Sequence, residues 1–186
     1  MNKLPDILRR RQVTKTRLFS VEELELRFSN GEERTYERLG SIHNAGHNAV
    51  MVVPLLDDNR FFMIREYAAG TENYQLTLPK GLVEPGETVH EGANRELKEE
   101  IGYGAKSIKT VTKFTLSPNY MCHTIYVAVA RNLYEEKLEG DEPEPLGLEV
   151  FAFDQLLAIN ERQDFSEGRV LAALYLVKDQ LERGLL

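Results

Sequence analysis

The chain contains one cysteine, Cys122, and no tryptophan among its 186 residues. A lone cysteine excludes any intramolecular disulfide and points to a reducing, cytoplasmic compartment. Long apolar runs are also missing. No stretch approaches the roughly 18 apolar residues that a membrane-spanning helix requires, so no membrane partner is expected. The start, MNKLPDILRRRQ, is basic but lacks the apolar run of a secretory signal.

Positive charge is in deficit. The formal net charge is −7, whereas a general nucleic-acid binder needs a basic face to displace counterions from phosphates. Nucleic acid is therefore not an expected partner. If so acidic a protein handles a phosphorylated compound, bound cations are expected to mediate the contact. Histidine is sparse, at four residues. His43 and His47 have i, i+4 spacing, but Asn44 and Gly46 argue against a helix there, and a metal site would need a third ligand. His90 is expected to face solvent, His123 to begin a strand, and Cys122 to be a small packing residue.

The length suits one domain with a small appendage. Residues 17–39 read as a hairpin: Leu24, Leu26 and Phe28 alternate with Glu23, Glu25 and Arg27, and Asn30-Gly31 supplies a two-residue turn. This defines a small N-terminal module, residues 1–47, followed by a main domain, residues 48–186. In the main domain AVMVVPLL and FFMIREY flank the turn signal Asp57-Asp58-Asn59. Further strands are expected near 74–78, 108–116, 123–130 and 147–153, with a helix over 168–183. Strands before and after a central helix favour an α+β fold, a mixed sheet with helices on its faces, over a regular βαβ alternation.

That central helix carries the chemistry. Thr88-Val89-His90-Glu91 is a capping box, and Val89, Ala93, Leu97 and Ile101 form one apolar stripe that ends at Gly102 and Gly104. Glu96, Glu99 and Glu100 share a face at i, i+3 and i+4. A helix built only for stability would place a base four residues after Glu96, yet it places Glu100. Like charges at that spacing cost roughly a few tenths of a kcal/mol and raise carboxylate pKa values. A hard cation such as Mg²⁺ would reverse the penalty. Arg95 can pair with Glu99 and Glu91 at i±4. Taken alone, ELKEE reads more readily as a solvated helix face.

The preceding glycine loop changes that weighing. Gly81, Glu87, Arg95-Glu96-Leu97, Glu99-Glu100 and Gly102 stand at the spacings of the Nudix box, with Tyr103 in place of the usual aliphatic residue. The chain thus resembles the Nudix hydrolases. GTENYQL, ANRELKEEIGYGA and LEGDEPEPL resemble in particular the group acting on ADP compounds, alongside the ADP-ribose pyrophosphatases.

The resemblance implies a Nudix α/β/α sandwich with a mixed sheet plus the small N-terminal β-hairpin module. It implies Glu96 and Glu100 as principal ligands of two or more Mg²⁺ ions, with Mn²⁺ as the alternative. It implies Glu99 and the backbone carbonyl of Lys80 as further ligands. Gly81, Glu87, Arg95 and Gly102 would support the box. It also implies Glu144 or Glu142, on the stiff acidic loop Glu139–Pro145, as general base.

Arg65, Pro118 and Tyr120 fall where relatives bind substrate. Arg65-Glu66-Tyr67-Ala68 lacks the second arginine of many ADP-ribose pyrophosphatases, and Ser117-Pro118-Asn119 departs from their S-P-G. Both departures favour a broader range of ADP compounds: ADP-ribose, NADH and short diadenosine polyphosphates. The expected activity is metal-dependent hydrolysis of the pyrophosphate bond in such a small-molecule nucleotide. The alternatives are a GDP-mannose type of pyrophosphatase, or a non-catalytic binding module, against which the intact glutamates argue. The N-terminal hairpin exposes strand edges, and the resemblance implies a homodimer.

Overall fold

A computed structural model describes residues 3–41 and 48–186. The pair His43 and His47 lies outside them. The chain groups into two compact units, Met1–His47 with Thr115–Thr124, and Asn48–Phe114 with Ile125–Leu186.

In the first unit, strands β1 (Asp6–Lys15), β2 (Phe19–Arg27) and β3 (Glu33–Ser41) form an antiparallel sheet in that order. The expected hairpin is β2–β3, but its turn has three residues, not two. Phe28 N–H donates to Glu32 O at 2.8 Å, and Gly31 adopts a φ of +87°. This is the three-residue hairpin closed by a left-handed glycine. Strand β1 was not legible in sequence, because all ten of its residues are exposed and no buried face imposes a period of two. Ion pairs Arg9–Glu25 and Arg11–Glu23 run along its pairing with β2. Leu39 of β3 also pairs with the 117–122 connection, donating its N–H to Tyr120 O and accepting from Cys122 N.

The second unit contains β4 (Ala49–Pro54), β5 (Arg60–Ala68), β6 (Asn73–Thr77), β7 (Lys80–Leu82) and α1 (Val89–Glu100). Most of β8 (Tyr103–Leu116) and β9 (His123–Glu135) follows, then β10 (Gly147–Ala152), a 3₁₀ turn, α2 (Leu156–Asn160) and α3 (Gly168–Glu182). One sheet has the order β7-β4-β9-β8, with β4 antiparallel to β7 and parallel to β9; an antiparallel sheet has the order β10-β5-β6.

Alternation along β4 explains the continuous apolar run AVMVV. Met51 and Val53 join a core with Phe61, Met63, Leu174 and Val177 of α3, while Val50 and Val52 join one with Ile64, Ala93 and Leu97 of α1. A sheet covered on both faces has no polar side to alternate with. The expected mixed α/β/α sandwich is thus the observed one. No helix among the described residues is long and apolar enough to cross a membrane.

Candidate active site

Strand β7 leads through a tight loop into α1. The Thr88 hydroxyl accepts the Glu91 N–H at 3.2 Å, and the Glu91 carboxylate accepts the Thr88 N–H at 2.8 Å, so the capping box forms. Ala93 and Leu97 are fully buried against the sheet. The helix stops at Gly102, whose φ of +75° is left-handed. Gly104 has a different part: it lies in β8, where a Cβ would meet the Tyr134 ring at 2.5 Å.

With the apolar stripe fixed, the polar side of α1 is organised by Arg95. Its Nε donates to Glu87 at 2.9 Å, one Nη to both Glu96 and Glu99 at 2.8 Å, and the other to the Leu82 carbonyl at 2.7 Å. Glu87 also accepts the Glu84 N–H at 2.9 Å. Hydrogen bonding from Arg95 holds the Glu87 carboxyl below its ordinary range. Reciprocally, Glu87 is the main cause of a raised Arg95 pKa. The expected partner Glu91 is engaged in the cap instead.

Glu96 is a buried charged residue at 8% exposure. Burial lifts its carboxyl above the usual range, Arg95 opposes the lift, and Glu99 and Glu142 add to it. Gly81 makes room for it, since a Cβ there would lie 2.1 Å from the Glu96 carboxylate. Glu100 accepts the Lys80 N–H at 3.1 Å. Burial of its carboxyl pushes the pKa up to about 9, against the Lys80 charge and with the help of Glu96.

Two neighbouring carboxylates lifted by burial in spite of Arg95 and Lys80 are under-compensated, and a hard divalent cation takes this kind of oxygen ligand. The residues therefore fit such an ion in chemistry. Among the described residues no three acidic, histidine or cysteine side chains already converge as a coordination sphere. Arg95 holds Glu96 and Glu99, and the Lys80 N–H holds Glu100, so a bound ion would compete with those contacts.

The acidic loop after β9 is anchored to the end of α1. Glu136 N–H donates to Gly102 O at 3.0 Å and Leu138 N–H to Lys98 O at 3.1 Å, while Lys98 Nζ meets the Glu136 carboxylate at 2.9 Å. A cleft of about 470 Å³ lies between loop and helix, lined by Glu99, Glu100, Glu142 and Glu144. The two loop glutamates differ. The Glu142 carboxylate lies over Gly140, whose missing Cβ would be 2.2 Å from it and 3.6 Å from Cβ of Glu99. Its charge is felt at Glu96. Glu144 instead accepts the Tyr74 hydroxyl, an interaction that raises the phenol pKa. Tyr74 packs edge-on against Tyr67, its cross-strand partner.

The other candidates make contacts of their own. Arg65 is bound by Glu149 at 2.5 Å and by Asp164. Its pKa is raised by those carboxylates, Glu149 foremost. Asp164, held mainly by Arg162, falls well below the carboxylate range. Strand alternation puts Arg65 and Glu66 on opposite faces, and it is Glu66 that reaches the α1 side, meeting Lys80 Nζ at 2.6 Å. Pro118 and Tyr120 belong to the β8–β9 connection of the first unit, where Tyr120 is exposed and its carbonyl accepts from Leu39. His90 pairs with Thr110 at 3.1 Å. Cys122 is exposed, not a packing residue. Sequence reading did not single out Glu66, Tyr74 or the Lys80 side chain. For Glu66 the signal existed: it continues the Phe62, Ile64 alternation toward α1.

Known proteins resemble this chain over nearly its whole length. Residues 5–38 match the NudE-type Nudix hydrolase N-terminal domain and residues 46–174 the NUDIX domain. The chain is 46% identical over 178 residues to the ADP compounds hydrolase NudE of Escherichia coli (strain K12), covering 96% of this chain and 94% of that one. It is 33% identical over 138 residues to the ADP-ribose pyrophosphatase of Bacillus subtilis (strain 168), covering 72% and 75%. A crystal structure of an ADP compounds hydrolase superposes with a TM-score of 0.90 at 44% identity, covering 100% of this chain and 99% of the other. The box on β7 and α1, the sandwich that carries it and these matches establish that the chain belongs to the Nudix hydrolases, with an N-terminal domain of the NudE type.

Proposed function

We propose that this chain hydrolyses the pyrophosphate bond of ADP-linked compounds, such as ADP-ribose, NADH and short diadenosine polyphosphates, with release of AMP. The observation that carries the proposal is the pair of carboxylates Glu96 and Glu100, raised by burial beside a cleft whose other wall bears Glu142. The relatives, an ADP compounds hydrolase and an ADP-ribose pyrophosphatase, supply the substrate class.

Nudix hydrolases generally use divalent metal ions. Here we assign Mg²⁺, with Mn²⁺ as a substitute and two or more ions per site, to Glu96, Glu100, Glu99 and the Lys80 carbonyl. When bound, such ions neutralise charge on the diphosphate oxygens and acidify water. Arg95 and Glu87 hold the loop and helix in register, and Gly81 admits the Glu96 carboxylate. Of the two loop glutamates, Glu142 is the better general base, because the Glu144 carboxylate is engaged by Tyr74. Glu142 takes the proton of the attacking water. The new bond forms between water oxygen and phosphorus, and the bond to the bridging oxygen breaks.

We place residues 1–47 as an accessory module and 48–186 as the catalytic domain. The exposed Ile7, Leu8 and Val13 of β1 favour a homodimer through that module, and the lone exposed Cys122 suits a reducing cytoplasm. Incubation with Mg²⁺ and a panel of ADP-ribose, NADH, diadenosine di- and triphosphate and GDP-mannose is expected to yield AMP from several ADP compounds. Turnover confined to GDP-mannose would reject the substrate class and keep the metal chemistry.

A further inference from the structure

Lys80 occupies an unusual place. Its backbone lies on β7 of the four-stranded sheet, and its N–H donates to Glu100 at 3.1 Å. Its ammonium crosses to the three-stranded sheet and meets Glu66 of β5 at 2.6 Å. The ammonium is also near enough for its charge to act on Glu100. Two carboxylates, Glu66 and Glu100, thus face one lysine: Glu66 takes the ammonium, and Glu100 takes the backbone N–H.

A flexible ammonium beside a desolvated carboxylate is a natural competitor for a divalent ion. Lysine is a compact point charge on a four-carbon stem with three rotatable donors, able to turn to whichever acceptor is more negative. Glu66 is the more exposed of the pair's side chains, at 40% against 23% for Lys80. It contributes no bond to Glu100 itself, and its own charge makes Glu100 harder to ionise. Its useful contact is with Lys80.

We propose that Glu66 is a positioning residue that keeps the Lys80 ammonium off Glu100, leaving the Glu100 carboxylate available to a divalent cation. This rests on the assignment of Glu96 and Glu100 as metal ligands. A purely structural role for the pair, as a clamp between the two sheets, makes a different prediction. Loss of either partner would then have the same effect, and loss of both would be no better.

The test is a cycle of Glu66→Gln, Lys80→Met and the double variant in the full-length protein, with Mn²⁺ binding followed by calorimetry and by the electron paramagnetic resonance signal of free Mn²⁺. Glu66→Gln is expected to raise the Mn²⁺ Kd about tenfold, the scale of one partly shielded ion pair. Removing the competing ammonium in the double variant is expected to return the Kd to near the wild-type value. Melting curves of all four proteins report the clamp separately. An unchanged Kd in Glu66→Gln would overturn the proposal, as would a double variant that binds no better than Glu66→Gln. Failure of the wild-type protein to bind Mn²⁺ at all would instead remove the metal assignment, and the proposal with it.

Discussion

Gly81→Ala separates the geometry of the carboxylate cluster from the stability of the fold. Gly81 has no left-handed φ, so an alanine meets no backbone strain there. The obstacle is steric: the added Cβ would lie 2.1 Å from the Glu96 carboxylate, inside any tolerable contact. What must yield is the end of a flexible side chain, held by Arg95 at 2.8 Å. Overpacking of a core commonly costs about 1–3 kcal/mol, and a mobile side-chain end puts this site at the low end. A change of about 1 kcal/mol shifts Tm by roughly 2–4 °C in a protein of this size. The Glu96 carboxylate, however, must move by an ångström or more, and misplacement of about 1 Å in a catalytic array lowers turnover on the order of a hundredfold. AMP release at saturating Mg²⁺, read beside scanning calorimetry, is expected to show kcat down by about that factor with Tm nearly unchanged. Wild-type turnover would refute the place given to Glu96, and wholesale unfolding would show that Gly81 serves packing instead.

Glu142→Gln is expected to reduce kcat by about 10²–10⁴-fold, the usual span for a general base, whereas Glu144→Gln and Tyr74→Phe should fall within about tenfold of wild type; the reverse order would move the base to Glu144. Glu100 has a folded pKa of about 9 against an ordinary 4.5, so the metal-free folded chain retains a proton that the unfolded chain releases. Its stability contribution is present in full below about pH 4.5 and is lost as pH rises toward 9. Melting in EDTA should show Tm falling across that window, and Glu100→Gln should flatten the slope; a slope unchanged by that substitution would contradict the desolvation of the Glu100 carboxyl. Arg65 is held by Glu149 and Asp164, so Arg65→Met should lower stability, by about 1–3 kcal/mol for partly buried charged hydrogen bonds, and leave KM within severalfold. A large rise in KM with unchanged Tm would restore Arg65 to substrate binding.

The sandwich and the box were legible because both are written in local rules. Thr88 and Glu91 cap α1, its stripe repeats every four residues, and the glycine loop has fixed spacing. Strand β7 is three residues that follow Pro79 and include Gly81, too short for a period to appear. Strand β1 is exposed on both faces and carries no alternation. Within the site, Glu96, Glu99 and Glu100 follow from helix geometry, and so does the Arg95–Glu99 pair. The contacts that separate Glu142 from Glu144, and bring Glu66 to Lys80, join residues 14 to 70 positions apart, which no local pattern encodes. The engagement of Arg65 by Glu149 and by Asp164, 99 residues away, is equally absent from any local pattern.

Whether Glu100 holds a metal that the reaction needs is decided by AMP release from ADP-ribose by the purified protein in Mg²⁺, with and without EDTA, beside Glu100→Gln. Turnover in Mg²⁺ is expected to disappear with EDTA and to fall by orders of magnitude in the variant, while the variant's melting profile in EDTA stays cooperative. AMP release at the wild-type rate from Glu100→Gln, or turnover that survives chelation, would contradict it.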